Sequence, residues 1–203
     1  MNEEEIIKKV GELFKHFGVK SMTMDDISRK LGISKKTLYQ FVSNKKDLVK
    51  RVVHSFIKIE QEDIIEQSSK GGNAIDVLIR VHQFVFNQVK VFQDPMLVFD
   101  LQKYHPEAYS IIKQHKQTFI FNRIVNNIDL GIKEGLYRKE IKAGLIGKLY
   151  LGLLDVIAIE GSSLNDIYSK EEIINSLINY HLRGVLSPKG IDYLNSIQYE
   201  KNK

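Results

Sequence analysis

Apolar residues recur every three or four positions along most of the chain, and this spacing is typical of amphipathic helices. The first such stripe runs from Ile6 to Phe17, and a longer one begins at Leu48. No segment shows the sustained alternation of a strand, so the sequence predicts an all-α protein. Caps, glycines and prolines divide the chain into about nine predicted helices, over residues 6–17, 24–31, 35–41, 45–67, 74–92, 95–104, 106–133, 142–160 and 171–186.

The stretch from residue 22 to residue 48 predicts two short helices around a glycine turn, followed at once by the start of another helix. Thr23 and Ser34 are suited to cap the two short helices, and Asp26 occupies the position of the acid in a capping box. Gly32 follows the first of them, where the chain must turn with a positive φ. Two short helices joined by such a turn indicate a helix-turn-helix, which places its second helix in the major groove of DNA.

The second of these helices, about residues 35–41, is the predicted recognition helix. Leu38 points inward, whereas the polar side chains point away from the core. Lysine can donate to guanine, glutamine can pair with adenine, and the threonine methyl group can contact thymine. The candidate base-reading residues are Lys35, Lys36, Thr37 and Gln40.

Several short motifs have the same types and spacing as a known family of regulators. They are Leu13-Phe14 with Gly18, then Gly32-Ile33-Ser34, Leu38-Tyr39 and Asn44-Lys45-Lys46-Asp47-Leu48. In these motifs, over roughly residues 5–53, the chain resembles the amino-terminal domain of the TetR/AcrR (tetracycline-repressor) family of bacterial transcription regulators. The resemblance implies that Tyr39 and Lys45 contact DNA phosphates. Thr23 is a further candidate for a phosphate contact, beside its role as a helix cap.

Two positions depart from the family pattern. Phe41 stands where the family usually has His or Tyr, and Val42 where it usually has Phe. Phenylalanine cannot donate a hydrogen bond to phosphate, so one backbone contact is missing. Lys36, where many members have Gly, adds a positive charge close to the duplex and is a candidate replacement for that contact.

The resemblance divides the chain into a DNA-binding domain, residues 1–48, and an effector-binding and dimerisation domain, residues 49–203. It implies a repressor that binds a palindromic operator as a homodimer and leaves it when a small effector binds. Two late apolar stripes, Leu145–Ile157 and Ile173–Leu186, are candidates for the dimer interface. The alternative is that both stripes are core within one chain.

Candidate effector-binding residues are aromatic or polar positions on the middle helices. Their mixture of aromatic and apolar character favours a hydrophobic effector. Each has an ordinary alternative, because a helical stripe of Phe and Ile is usually core and an inward His is usually only hydrogen-bonded. The candidates are His82, Phe86, Phe99, Tyr104, Phe121 and Tyr150.

The charge distribution supports the DNA-binding prediction. The chain of 203 residues has a net charge of +5. Residues 1–54 hold 12 Lys and Arg against 7 Asp and Glu, whereas the remaining residues hold 18 of each class. All the excess positive charge therefore falls on the segment assigned to DNA. A lysine-rich genome also produces basic surfaces, so charge alone would not establish this function.

Signals for other functions are weak or absent in the sequence. There is no cysteine, no HExxH, no GxSxG and no histidine pair at i, i+4. We therefore expect no catalysis, no cofactor and no metal site. The acidic amino terminus and the lack of an apolar run of ~20 residues favour a soluble cytoplasmic protein. The alternative function is a protein-interaction module that kept the helix-turn-helix but lost its role on DNA.

Overall fold

The structure is a computed structural model that describes residues 1–88 and 95–201, apart from the side chains of residues 86–88, 95–96, 157–163, 165, 170 and 198–201. Within that range the protein is all-α, as predicted, and its sole β feature is an isolated antiparallel bridge between Tyr137 and Leu186. The helices are α1 (Glu3–Phe17), α2 (Met24–Leu31), α3 (Lys35–Phe41), α4 (Lys45–Ser69), α5 (Ala74–Gln88), α6 (Pro95–Tyr104), α7 (Pro106–His115), a π-helical turn (Lys116–Ile120), α8 (Phe121–Lys133), α9 (Ala143–Asn165), α10 (Lys170–Val185) and α11 (Pro188–Lys201).

The helix count differs from the predicted nine in two places. The predicted helix over residues 106–133 is a continuous helical run, but a π-helical turn divides it into α7 and α8. The prediction missed α11 altogether. Its signal was Ser187 before Pro188, since a Ser cap followed by Pro at the first position favours a helix start; the Gly190 amide donates to Ser187 Oγ over 3.2 Å.

The chain forms two compact units, and each has its own hydrophobic core. The first unit comprises α1–α3, α4 as far as Gln61, and α6 with α7. The second unit comprises the rest of α4, α5, and the chain from Lys116 onward. This division by contacts does not test the predicted functional boundary after residue 48, which stays a prediction.

In the first unit the predicted apolar stripe of α1 is buried beneath the helix-turn-helix. Ile6, Val10 and Phe14 share one face of α1 and join the core that α2, α3, α4, α6 and α7 also enter. Gly11 lies on the same helix, and a Cβ there would stand 2.5 Å from Phe56 Cζ of α4. Glycine therefore allows α1 and α4 to approach more closely than any larger residue would.

Helix α7 is joined to α4 by a buried polar contact at its last residue. His115 Nε2 lies 2.8 Å from Glu60 Oε2, and Gln61 Nε2 lies 3.3 Å from His115 Nδ1. Buried polar groups are stable only when they are paired in this way. The contact therefore fixes the point of the first unit at which the π-helical turn begins.

The second unit is organised around Tyr137, which is almost fully buried. The Tyr137 hydroxyl donates to Asn127 Oδ1 over 3.2 Å, and Asn127 Nδ2 donates to the carbonyl of Ala74 over 2.9 Å. The backbone amides of Leu136 and Tyr137 both donate to the carbonyl of Gly131. This network closes the predicted turn after α8 and ties α8 to the start of α5.

None of the described helices combines the length and the apolar character that crossing a bilayer requires.

Candidate nucleic-acid interface and buried polar cluster

The helix-turn-helix has the local geometry that its sequence predicts. The Asp26 amide donates to Thr23 Oγ1 over 3.1 Å, and the Thr23 amide donates back to Asp26 Oδ2 over 3.1 Å, which completes a capping box. Gly32 ends α2 in the left-handed conformation at φ +67°. The Thr37 amide donates to Ser34 Oγ over 3.0 Å and so caps α3. These bonds fix the angle at which α3 leaves α2.

Helix α3 presents one buried face and one polar face. Leu38 is fully buried and anchors the helix to the core. Lys35, Lys36, Tyr39 and Gln40 are exposed, as predicted for side chains that contact DNA. This polar face stands on a short helix that is capped by Ser34 and anchored by Leu38, and it is therefore presented in one orientation.

Thr37 is the one predicted base-reading residue that is half-buried. Its hydroxyl lies 2.8 Å from Ser34 Oγ, so the hydroxyl is already engaged within the cap. The methyl group is the part of Thr37 for which the sequence analysis predicts a contact with thymine.

Lys35 has a partner that the sequence analysis did not foresee. Its Nζ lies 2.6 Å from Asp25 Oδ1 of α2. The hydrogen bond and the negative charge of Asp25 raise the pKa of Lys35 above its ordinary value. Both side chains are more than half exposed, so the pair is weak in water and can open when a base or phosphate competes.

Lys45, at the first turn of α4, also has an internal contact. Its Nζ donates to the backbone carbonyl of Lys20 over 3.3 Å. Partial burial lowers the pKa of Lys45 below its ordinary value. The charged end of Lys45 is thus held against the loop between α1 and α2 rather than extended into solvent.

A cleft of about 570 Å³ adjoins the end of α3 and the first turns of α4. Its cationic residues are Lys46, Lys50 and Arg51; Lys50 pairs with Glu107 over 3.0 Å and Arg51 with Asp47 over 3.1 Å. Lys46 is exposed and was missed by the sequence analysis, although it directly follows Lys45. The cleft is lined by Tyr39, Gln40, Phe41, Val42, Ser43, Asn44, Lys46, Asp47, Lys50, Arg51 and Glu107.

The two departures from the family pattern both lie in this cleft. Phe41 is partly buried and packs against the first core, and Val42 is almost fully buried. Both side chains therefore stabilise the junction of α3 and α4 and offer no hydrogen bond to a phosphate.

The candidate effector residues do not form one group. His82 and Tyr150 lie together in the second unit, where the Tyr150 hydroxyl and His82 Nε2 are hydrogen-bonded. Phe121 belongs to the same unit and lies 3.2 Å from the position that a Cβ would take on Gly147 of α9, with Lys148 Nζ 4.7 Å from its ring centroid.

The remaining candidates fall outside the second unit or outside the described side chains. Phe99 and Tyr104 belong to α6 in the first unit, and Phe99 is 54% exposed. The side chain of Phe86 lies outside the described residues.

The sequence analysis missed His181 as a partner of His82 and Tyr150. Its ring centroid lies 4.0 Å from that of Tyr150, and the ring is almost completely buried. Burial, with a smaller effect of His82, lowers the pKa of His181 to about 4. Burial also lowers the pKa of His82 and raises that of Tyr150, so all three groups are uncharged at neutral pH.

Comparison with known proteins agrees with the geometry of the first unit. Residues 6–52, which include all of α2 and α3, match the model of the bacterial regulatory proteins of the tetR family. The uncharacterized HTH-type transcriptional regulator YvaF of Bacillus subtilis is 27% identical over 196 residues, which cover 94% of this chain and 98% of YvaF. Over residues 6–52 the chain is therefore similar to the DNA-binding segment of the tetR family.

Solved structures show the same fold over nearly the whole of this chain. A putative transcriptional regulator from Saccharomonospora viridis in complex with choline has a TM-score of 0.79 at 16% identity, covering 91% of this chain and 97% of that one. The fatty acid degradation regulator FadR from Bacillus halodurans has a TM-score of 0.71 at 17% identity, covering 89% and 94%. The name of the Bacillus subtilis relative and the match over residues 6–52 agree with the helix-turn-helix geometry, and the protein is a DNA-binding transcriptional regulator.

Among the described residues, no group of three or more His, Asp or Glu is placed to hold a metal ion.

Proposed function

We propose that this protein is a repressor that binds a palindromic operator as a homodimer and is released by a small, mainly apolar effector. The observation that carries the proposal is the exposed polar face of α3, held in a fixed direction by the Ser34 cap and the buried Leu38. Bacterial DNA lies in the cytoplasm, and we place the protein's action there.

We propose two kinds of DNA contact at and beside the recognition helix, to base edges and to backbone phosphates. Lys35, Lys36, Thr37 and Gln40 are our candidates for contacts with base edges. The first three lie in the first turn of α3, the end that reads bases in a helix-turn-helix, and Gln40 is exposed one turn later. Tyr39 lies at the edge of the cleft, next to Lys46. We therefore assign Tyr39 and Lys46 to phosphates.

Thr23 and Lys45 are the other proposed phosphate contacts. Thr23 stands at the start of α2, and Lys45 at the start of α4, where free backbone amides favour an anion. For Lys45 the contact requires its Nζ to leave the carbonyl of Lys20, a bond of 3.3 Å that a charged phosphate can replace.

An exposed apolar face on α9 supports the homodimer. Leu145, Leu149 and Val156 are each more than half exposed, although they lie on a predominantly apolar helix. Gly152 on the same face has no neighbour that would exclude a Cβ. Such a face is unfavourable in water and suits a second copy of the chain.

On α10 the corresponding prediction holds only in part. Leu177, Leu182 and Val185 are buried in the core of the second unit, so the intramolecular alternative applies to them. The exposed Tyr180, on the outer side of α10, remains available to a partner copy.

We assign the effector site to the second unit and therefore propose residues 49–203 as the effector-binding and dimerisation domain. Two structurally similar proteins support a response to small molecules: one was solved with choline, and the other is named for fatty acid degradation. Release from DNA by an effector is a coupling between two sites, so operator DNA must weaken effector binding by the same factor.

The test is fluorescence anisotropy of the full-length protein on labelled DNA from upstream of its own gene and on a scrambled duplex, across a salt series. We expect tighter binding to the upstream DNA and a steep loss of affinity as salt rises, because released counterions drive the contact with phosphates. Equal and salt-independent binding to both duplexes would instead support the protein-interaction alternative.

A further inference from the structure

Three polar aromatic side chains meet inside the second unit, one each from α5, α9 and α10. His82 Nδ1 lies 2.8 Å from the carbonyl of Leu78, which can only accept a hydrogen bond, so Nδ1 carries the proton. His82 Nε2 is then an acceptor, and the Tyr150 hydroxyl donates to it. The hydrogen-bonding roles of two members of the cluster are therefore fixed.

The third member has an unused hydrogen-bonding atom. His181 Nε2 is fully buried and has no hydrogen-bond partner among the described residues. The His181 ring packs against Tyr150, with centroids 4.0 Å apart and planes inclined by 35°. A buried polar atom without a partner is destabilising, and a bound molecule that supplies the missing hydrogen bond would remove this penalty.

His82 is the most accessible member of the cluster, because its side chain keeps some accessible surface while Tyr150 and His181 are almost completely buried. The surrounding protein still removes enough water to lower the pKa of the His82 imidazole. The partly buried Ile79, Ile124 and Ile146 contribute apolar surface to the same unit.

The cluster is also electrically neutral. Within the described part of the chain, no Lys, Arg, Asp or Glu side chain is hydrogen-bonded to His82, Tyr150 or His181. An ionised ligand group would lose its hydration here without gaining an opposite charge, which is strongly unfavourable. An uncharged oxygen that both donates and accepts suits a neutral imidazole nitrogen in either tautomer.

We propose that the His82–Tyr150–His181 cluster binds the hydroxyl group of an uncharged, mainly apolar molecule, with His181 Nε2 and the Tyr150 oxygen as its partners. That this molecule is the effector rests on the function proposed above. The apolar body of the molecule lies against the aliphatic side chains of α5, α8 and α9, and its hydroxyl satisfies the atom that the protein leaves unpaired.

A ligand bound at this cluster would affect the outer face of α10, because His181 belongs to the same helix. His181 Nε2 is fully buried, so a ligand reaches it only when the imidazole turns or its neighbours move apart. The next residue along the chain is Tyr180, which is 73% exposed on the face assigned to the partner copy. Occupation of the cluster therefore alters the helix that carries part of the proposed dimer interface.

The test is two-dimensional NMR of full-length protein labelled at histidine with a stable isotope. Three matched probes are added in turn: n-hexanol, hexanoate and hexylammonium, which share the apolar chain and differ in charge. His181→Phe and His82→Phe assign the two histidine resonances of the cluster, and His181→Phe also removes a proposed partner of the ligand while keeping a ring. His54→Gln, at an exposed position on α4, is the control variant.

We expect n-hexanol to shift the His181 and His82 resonances in a saturable way and to leave the His54 resonance unchanged. Its affinity should fall about tenfold in His181→Phe, in proportion to one lost hydrogen bond to a buried group, and should be unaffected in His54→Gln. The proposal is overturned if n-hexanol leaves His181 unchanged, if its affinity is the same in His181→Phe, or if either charged probe binds there more tightly.

The same samples separate this proposal from the proposed function. The NMR shifts do not depend on DNA, so binding of n-hexanol that leaves operator affinity unchanged would retain the site and reject its role as the effector site. If n-hexanol causes no NMR shift at His181 or His82 in a protein that still binds its operator, the binding site is rejected and the proposed function is retained.

Discussion

Lys35 Nζ lies 2.6 Å from Asp25 Oδ1, so the first cation of the recognition helix is paired with a carboxylate of the preceding helix. The pair connects α2 to α3 across the turn at Gly32. It also places a negative charge beside the surface that we assign to DNA. In the proposed complex with operator DNA, Lys35 must therefore exchange Asp25 for a base or phosphate.

Asp25→Asn should strengthen DNA binding, because it frees Lys35 and removes a charge that repels phosphates. The logarithmic salt slope should become steeper by up to about 0.9, the value for one additional phosphate contact. The measurement is anisotropy on specific and scrambled duplexes over a range of salt concentrations. Asp129→Asn, an exposed position on α8, makes the same change in net charge and should leave both duplexes unaffected; equal effects of the two variants would contradict this account.

Lys36→Ala should weaken binding and reduce the salt slope by about 1, as expected for loss of one phosphate contact. The reason is that Lys36 is exposed on α3, while Phe41 cannot donate to a phosphate. Lys139→Ala removes an equal charge from an exposed turn of the second unit and serves as control. An unchanged slope for Lys36→Ala would show that Lys36 does not replace the missing contact.

Substitutions at Thr23 separate its two roles. Thr23→Ala removes the capping box with Asp26 and should lower the free energy of unfolding by about 1 kcal/mol. Thr23→Asp keeps a capping oxygen but adds a negative charge, so it should retain most of the stability and lose DNA affinity. Thermal unfolding and anisotropy are measured on both variants. Full DNA affinity in Thr23→Asp would leave Thr23 with a capping role only.

Leu149→Glu should convert the homodimer to a monomer, because it places a charge in the middle of the exposed apolar face of α9. Analytical ultracentrifugation gives the mass in solution. Ile65→Glu, at a residue of α4 that is 50% exposed, is the matched control and should remain dimeric. A dimer that persists in Leu149→Glu would place the interface on another surface.

Acid should destabilise the protein through His181. Its pKa is about 4 in the folded chain and 6.5 when unfolded, so the unfolded chain binds the proton first. The contribution of the uncharged His181 to the free energy of unfolding is therefore fully present above about pH 6.5. It falls by about 3 kcal/mol as the pH approaches 4. Denaturant unfolding at a series of pH values measures this loss.

His181→Phe should lose much less stability than the wild type over that range, although the lowered pKa of His82 contributes in the same direction. Below about pH 4 the wild type and His181→Phe should lose stability to the same extent. The reason is that the pKa values of Asp26, Asp47 and Glu172 are also lowered in the folded chain. Identical pH profiles between 6.5 and 4 would show that His181 is not the responsible group.

The helix-turn-helix could be predicted closely because its determinants are local. Thr23, Gly32 and Ser34 act on residues only a few positions away, and the structure shows the predicted cap or turn at each of them. The whole predicted helix over residues 106–133 was likewise present. Its π-helical turn was not foreseeable, because the apolar spacing does not reveal one extra residue per turn.

The contacts that could not be predicted from the sequence are those between residues that lie far apart along the chain. Lys45 looked free to contact phosphate, yet its Nζ meets the carbonyl of Lys20 on another loop. His181 was not among the predicted site residues, because periodicity shows which face of a helix is inward but not which side chains that face contacts. Only the packing of α5, α9 and α10 brings it to Tyr150 and His82.

The central claim is that two copies of α3 read an inverted repeat, and selection of binding sites from random duplex DNA tests it most directly. Sequencing of the retained duplexes should show two half-sites of opposite orientation, with centres about 10 base pairs or a multiple apart. Gln40→Ala should relax the preference at one symmetric position of each half-site. A retained pool without inverted symmetry, or a Gln40→Ala pool identical to that of the wild type, would contradict this account.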